Sequence, residues 1–251
     1  MKFLLSLIFC VFLVSHLEAI LIEDDNRSVY SRSYMHYSTI IDRESKNSDN
    51  PDVPGSDYDK TVSSLVSAHS YVGIYGGSAS SSAGQQSSIL NNDIYIDEIN
   101  ASGTVSGEAE NLRVGATILS SATSLFEVTF SFEGIRSYTM DLTMSASDGV
   151  WQDGLGEAGA NCSMQLIKGT ETILDYQIAN DTKQVSLEGE LPESTYTIVV
   201  RGHTYDRVDT TYGNQVTNTE ASYDLNMQIV PEPASVFLLG LGGLYFRRKF
   251  V

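Results

Sequence analysis

Cysteine is nearly absent from this chain. Of its two cysteines, Cys10 sits inside an apolar N-terminal leader, so the body keeps only Cys162 and an intrachain disulfide is excluded there. A lone thiol of this kind reads as a small buried hydrophobe. Histidine is scarce as well. Outside the leader only His36, His69 and His203 remain, and no two share the spacing of a paired metal site. No serine stands in a Gly-Xaa-Ser-Xaa-Gly elbow, and Cys162 has no histidine signal beside it, so nothing supports nucleophilic catalysis. Positive charge is the third scarcity. The formal net charge is −17; Lys2 and Glu18 cancel in the leader, and setting aside Arg247, Arg248 and Lys249 of the tail takes the body to −20. Such a body is repelled by nucleic acid and by anionic headgroups, which excludes nucleic acid as a partner. No amphipathic helix of useful length and no tandem repeat is present.

What is there is alternation. Phe126, Val128, Phe130 and Phe132 share one face of an extended run, and Glu127, Thr129, Ser131 and Glu133 share the other. Tyr138, Met140, Leu142 and Met144 repeat the pattern. Strict period two with one apolar face predicts half-buried strands, and the short "EGIRS" between these runs predicts an antiparallel hairpin. The runs "SMQLIKG", "TILDYQIA", "STYTIVVRG" and "SYDLNMQIV" continue the series, and "YVGIYG", "DIYIDEI" and "LRVGATIL" add earlier strands. Short strands at regular spacing, with Gly and Asn turns between, predict an all-β antiparallel sandwich or jelly roll. Residues 42–60 read as a polar loop or linker, and "GGSASSSAGQQSS" at 76–88 reads as flexible low complexity.

Both ends carry addresses. Lys2, a dozen apolar residues and Ala19 make a secretory signal peptide over residues 1–19, to be removed by signal peptidase. At the other end, Pro231 and Pro233 block helix before Ala234, and an apolar or small run continues to Phe246. As a helix that run spans roughly 20 Å, short of the ~30 Å hydrocarbon core, and Arg247, Arg248 and Lys249 act as a basic stop. This is a short C-terminal membrane helix, with the body on the far side. The sequence "VPEPAS", a Leu/Gly-rich run and "RRK" in that order resemble a PEP-CTERM sorting signal. Val230, Pro231, Glu232, Pro233, Ala234, Ser235, Arg247 and Arg248 match its parts position by position, with Lys249 extending the basic cluster. The resemblance covers about twenty residues. It implies a Gram-negative-type bacterium that makes exopolysaccharide. It also implies an exosortase, a membrane cysteine protease cutting near the Pro-Glu-Pro, and delivery of the body to the cell surface or extracellular matrix.

Within the body, "DGVWQDGLGE" is the best local candidate. Asp148, Asp153 and Glu157 offer hard oxygens to Ca²⁺, while a Gly/Asp-rich strand connection explains the same residues. No other cofactor is implied. Trp151, the single tryptophan, either stacks on a sugar ring or caps the core. Tyr205 and Tyr212 stand in a polar stretch that reads as a ligand loop or a long hairpin tip.

Taken together, four segments are expected: signal peptide 1–19, a polar segment and linker 20–60, a sandwich 61–229 and the sorting signal 230–251. The expected protein is exported and not an enzyme. It is transiently anchored in the membrane, then associated with exopolysaccharide or biofilm at the surface. The alternative is a carbohydrate-binding module acting on such a polymer. A hydrolase would need two carboxylates roughly 5–9 Å apart in a cleft, which no spacing in the chain places.

Overall fold

A computed structural model describes residues 20–37, 40–48, 51, 53–69, 76–90, 97–111, 116–149, 156–209 and 215–231. These residues form strands and connections, with no helix among them. In chain order the strands are β1 (Leu21–Asp25), β2 (Ser28–Tyr37), β3 (Ile40–Ser48), β4 (Tyr58–His69), β5 (Gly76–Leu90), β6 (Asp97–Asn111) and β7 (Ala116–Phe132). They continue with β8 (Arg136–Asp148), β9 (Gly156–Lys168), β10 (Glu171–Ala179), β11 (Thr182–Leu191), β12 (Ser194–Asp209) and β13 (Gln215–Pro231). Sheet I runs β10-β9-β12-β7-β2-β3, with β1 continuing the line of β2 along β7; sheet II runs β11-β8-β13-β6-β5-β4. Every pair is antiparallel. The all-β sandwich expected from alternation is therefore the observed architecture.

Alternation decides which side each strand buries. Along β7 every second residue is buried from Ile118 to Phe132. Phe126, Val128 and Phe130 of β7, Met164 and Leu166 of β9, and Ile198 and Val200 of β12 meet Met140, Leu142, Leu225 and Met227 of sheet II in one cluster. Phe130, Phe132 and Tyr196 stack there, with ring centroids 5.5 to 6.3 Å apart. Each such side chain contributes about 1.5–3 kcal/mol by burial, so this end of the sandwich dominates stability. Cys162 is buried in the same cluster, as expected of a lone structural thiol, and burial pushes it up to about 11.

Three expectations are corrected. β7 and β8 do not form a hairpin: β7 lies in sheet I and β8 in sheet II. Both strands present one apolar face, which two-period reading cannot distinguish from pairing side by side. Gly134, at φ 75°, turns the chain over to the facing sheet. Residues 21–48, expected as a polar segment running into a loop, form β1, β2 and β3 of sheet I. Residues 76–88, expected as flexible, lie in β5 (Gly76–Leu90), between β4 and β6 of sheet II.

The last two cases share a cause. Where Ser31 and Ser33 of β2, Ser64 of β4 and Ala79, Ser81 and Ala83 of β5 point inward, the two sheets bond across the interior. Ser31 Oγ donates to Ser81 O at 2.9 Å and Ser81 Oγ to Arg32 O at 3.0 Å, while Ser33 Oγ donates to Ser64 O at 3.0 Å. Ser120 Oγ of β7 donates to Ser80 O of β5 at 2.6 Å. These hydroxyls satisfy each other and the backbone, which is what allows them inside. At the start of β2, Arg27 is fully buried. Its Nε meets Asp25 Oδ1 at 2.6 Å, Nη1 meets Ser87 Oγ at 3.0 Å, and Nη2 meets Ser56 O at 2.6 Å. That network ties sheet I to the turn before β4 and to β5.

Candidate functional site

Three regions carry chemistry. The first is the C-terminal segment. β13 lies between β6 and β8, and its final residues pair with β8 in register: Val230 with Ser137 and Pro231 with Arg136. Proline has no backbone N–H to give the ladder, and the described pairing runs two residues into the sorting sequence. Glu232, Pro233, Ala234, Ser235, Arg247, Arg248 and Lys249, with the expected membrane helix, lie outside the described residues, as does the signal peptide.

The second region is the acidic stretch after β8. Asp148 is a fastener: its Oδ1 accepts from Ala160 N at 2.7 Å, its Oδ2 accepts from Asn180 Nδ2, and its own N–H donates to Asn180 Oδ1 at 2.6 Å. Glu157 stands exposed on β9, in register with Arg207 of β12. Asp153 and Trp151 lie outside the described residues, as does Tyr212. Among the described residues no three His, Cys, Asp or Glu side chains come together to hold a metal.

The third region is the pair of outer sheet faces, which sequence reading did not single out. In paired strands, partners in register project to the same side. Across sheet I the outward rows are His203–Thr123–Tyr30–Asn47, then Tyr205–Ser121–Arg32–Ser45, then Arg207–Leu119–Tyr34–Arg43. Arg201 and His36 flank these rows on β12 and β2. The six described arginines divide cleanly. Arg27 and Arg136 are buried, and Arg32, Arg43, Arg201 and Arg207 all lie on this one face. Arg32 sits over the Tyr34 ring at 5.9 Å. His203 Nδ1 lies 3.0 Å from Thr123 Oγ1 and 3.1 Å from Ala122 O. Burial, with Arg201 beside it, holds His203 below the usual histidine range. The signal was present in "SVYSRSYMHY", where Tyr30, Arg32, Tyr34 and His36 alternate with Val29, Ser31, Ser33 and Met35. Two of its four inward residues are serines, so the alternation is blunted in an apolar count.

The outer face of sheet I also carries carboxylates, Glu127 of β7, Glu157 of β9 and Asp175 of β10, so its charge is mixed, whereas the outer face of sheet II is acidic. Among the described residues it carries no lysine or arginine, and it presents Glu98, Glu108, Glu110, Asp141, Glu220 and Asp224 among serines and threonines. Two hollows open on it. One of about 350 Å³ is lined by Ser82, Thr104, Ser106, Ser145, Ser147 and Glu220. Another of about 400 Å³ is lined by Asp59, Gln86, Ser88, Asn100, Ser102 and Asp224. Tyr58 borders the second but is buried, with its hydroxyl 3.1 Å from Ser48 Oγ.

Inside, between these faces, Asp206 of β12 is fully buried. Its Oδ2 accepts from Thr219 Oγ1 at 2.5 Å, and its Oδ1 has no partner among the described residues. Desolvation pushes Asp206 up to about 6, against the hydrogen bonds from Thr219 and Thr217.

Comparison with known proteins bears on the C-terminal end more than on the body. No curated protein matches the chain. A solved structure described as "CBM4 structure and function" is 12% identical, with a TM-score of 0.21 over 42% of this chain and 74% of that one. The enzymatically active domain of bacteriophage CBA120 tailspike protein 4 is 11% identical, with a TM-score of 0.18 over 65% of this chain and 19% of that one. The structure of infectious bursal disease virus Gt strain is 10% identical, with a TM-score of 0.20 over 84% and 67%. Likenesses this slight carry no argument about the body. The C-terminus is different, for the family model of the PEP-CTERM protein-sorting motif matches residues 230–249. This chain is a β-sandwich protein that carries a PEP-CTERM protein-sorting motif.

Proposed function

We propose that the chain is an exported, non-enzymatic protein of the cell surface or extracellular matrix, delivered through an exosortase-type system and associated there with exopolysaccharide. The observation that supports this reading is the motif at residues 230–249, whose first two residues, Val230 and Pro231, are the last two of the final strand. A cut beyond Pro231 leaves every described strand of the sandwich intact. The apolar run holds the precursor in the membrane until then, and Arg247 and Arg248 stop its transfer.

The test is deletion of residues 231–251 in the producing bacterium, followed by fractionation. The expected result is loss of the protein from the surface fraction, with the truncated body still folded. Normal surface delivery of the truncated chain would overturn the sorting reading. Association with exopolysaccharide is checked by co-sedimentation of the full chain with the bacterium's own polymer, with and without Trp151→Ala and Ca²⁺. The glycan-binding alternative rests on Trp151. The hollows of sheet II are lined by hydroxyls and carboxylates and offer no exposed aromatic platform.

A further inference from the structure

The interior changes character partway along the sandwich. On β2 the inward residues run from Val29 of the large cluster through Ser31 and Ser33 to Met35 of a second, small cluster. On β7, Ser120 separates Ala122 from Ile118, and on β12, Thr204 and Asp206 separate Val200 from Val208. β5 and β6 repeat the order at Ser81 and Gly107. A polar layer therefore crosses both sheets and divides the core. Within it, Ser31, Ser64 and Ser81 bond to one another at 2.8 to 3.0 Å. Beyond it, among the described residues, the small cluster consists of Met35, Val66, Ala79, Ala109, Ile118 and Val208, with no aromatic ring. The large cluster holds the stacked rings and reaches Ile229, close to the C-terminal tail.

We propose that the end of the molecule away from the tail is a pH-operated flap: the strand ends around the small cluster part along this polar layer when Asp206 ionises, while the large cluster stays closed.

Asp206 is the carboxyl group among the hydroxyls of the layer. It is fully buried, and only one of its oxygens has a hydrogen-bond partner among the described residues. A neutral carboxyl tolerates that setting far better than a carboxylate does. The facing strand leaves it no slack, since a Cβ on Gly107 would collide with Asp206 Oδ2 and Ser120 Oγ. No neighbour compensates the charge. β7 and β9 set Ser120 and Ala158 beside it, and β13 sets Thr217 and Thr219 against it. Asp148 of β8 and Glu108 of β6 are carboxylates that oppose its ionisation. Arg207, Glu157 and Glu220 belong to the outer faces. The closed form therefore holds the proton up to about 6, against the ordinary 3.8. Opening is least below the ordinary value, rises by up to about tenfold per pH unit between the two, and levels off above the higher one. Few apolar side chains leave the interior when this end opens, and regions of that kind open before the rest of a fold.

The chain carries its own reporters. Met35 belongs to the small cluster and Met140, Met144, Met164 and Met227 to the large one, each at most 2% exposed. Peroxide oxidises an accessible methionine to its sulfoxide, and the thioether has no proton to titrate. The test is peroxide treatment of the full chain in non-ionic detergent at about pH 5 and about pH 7.5, with sulfoxide followed at each methionine by peptide mapping. In the wild type, Met35 is expected to react faster than the other four, and about tenfold faster at the higher pH, with the other four unchanged. In Asp206→Asn, which cannot ionise, Met35 is expected to stay slow at both. Equal reaction of Met35 and the other four, a Met35 rate that does not rise with pH, or a rise that Asp206→Asn retains overturns the proposal. If that variant fails to fold, amide hydrogen exchange of the wild type decides. Corrected for intrinsic rate, protection at Ile118 and Val208 is expected to fall with pH while that at Phe126 and Ile198 holds; a parallel change at all of them overturns the proposal.

Discussion

Asp206 is where one side chain sets a property of the whole body. It is fully buried, with one carboxylate oxygen hydrogen-bonded to Thr219. Its folded value lies near 6, above the ordinary 3.8. The folded state therefore holds this proton more tightly than the unfolded chain does. The resulting stabilisation is complete below the ordinary carboxylate range and is lost as pH rises through about 6. Above that, ionised Asp206 costs on the order of 3 kcal/mol. Asp206→Asn keeps an acceptor for Thr219 and removes the charge. Its melting temperature is expected to exceed the wild type's at pH 8, with the gain shrinking toward pH 4. Thermal unfolding of both proteins across that range checks this; an equal loss of stability at every pH would contradict it. Nothing in the sequence announces Asp206. It stands in "TYDRV" like any surface aspartate, and only the register of β12 against β7 puts it inside, beside Ser120.

At the scale of the strand, close approach replaces bulk in part of the interior. Tyr223 of β13 is paired with Gly103 of β6. Its ring covers the glycine, and its hydroxyl lies 3.0 Å from Ser124 Oγ in the facing sheet. A Cβ on Gly103 would come within 2.4 Å of the ring and 2.5 Å of Ser124 Oγ, whereas a Cβ on Gly202 meets nothing nearer than 3.5 Å. Gly103→Ala is therefore expected to destabilise by about 1–3 kcal/mol, and Gly202→Ala to be tolerated. Chemical denaturation of both variants checks the contrast; equal effects would contradict the packing described. The same scale shows what the sequence made legible. Strands with large apolar faces, such as β7, β8 and β13, declared both their extent and their inward side. Their partners were not declared, since apolar alternation is the same for a strand that pairs within a sheet and one that faces it. β5 was illegible because Ser and Ala carry no contrast of hydropathy, although its backbone is fully paired with β4 and β6.

For the whole molecule, the C-terminal address was readable because proline, apolar run and arginines act through order and composition alone. The charged faces were not, because they exist only once strands distant in sequence stand in register. The gathering of Arg32, Arg43, Arg201 and Arg207 on one face is a property of the assembled sandwich, with the final strand as the link between cargo and address. The measurement that tests this account most directly is the intact mass of the protein recovered from the cell surface or medium. The account predicts a folded chain that lacks the leader and ends near Pro233, without Arg247 and Arg248. A surface pool that keeps the tail through Val251 would contradict it.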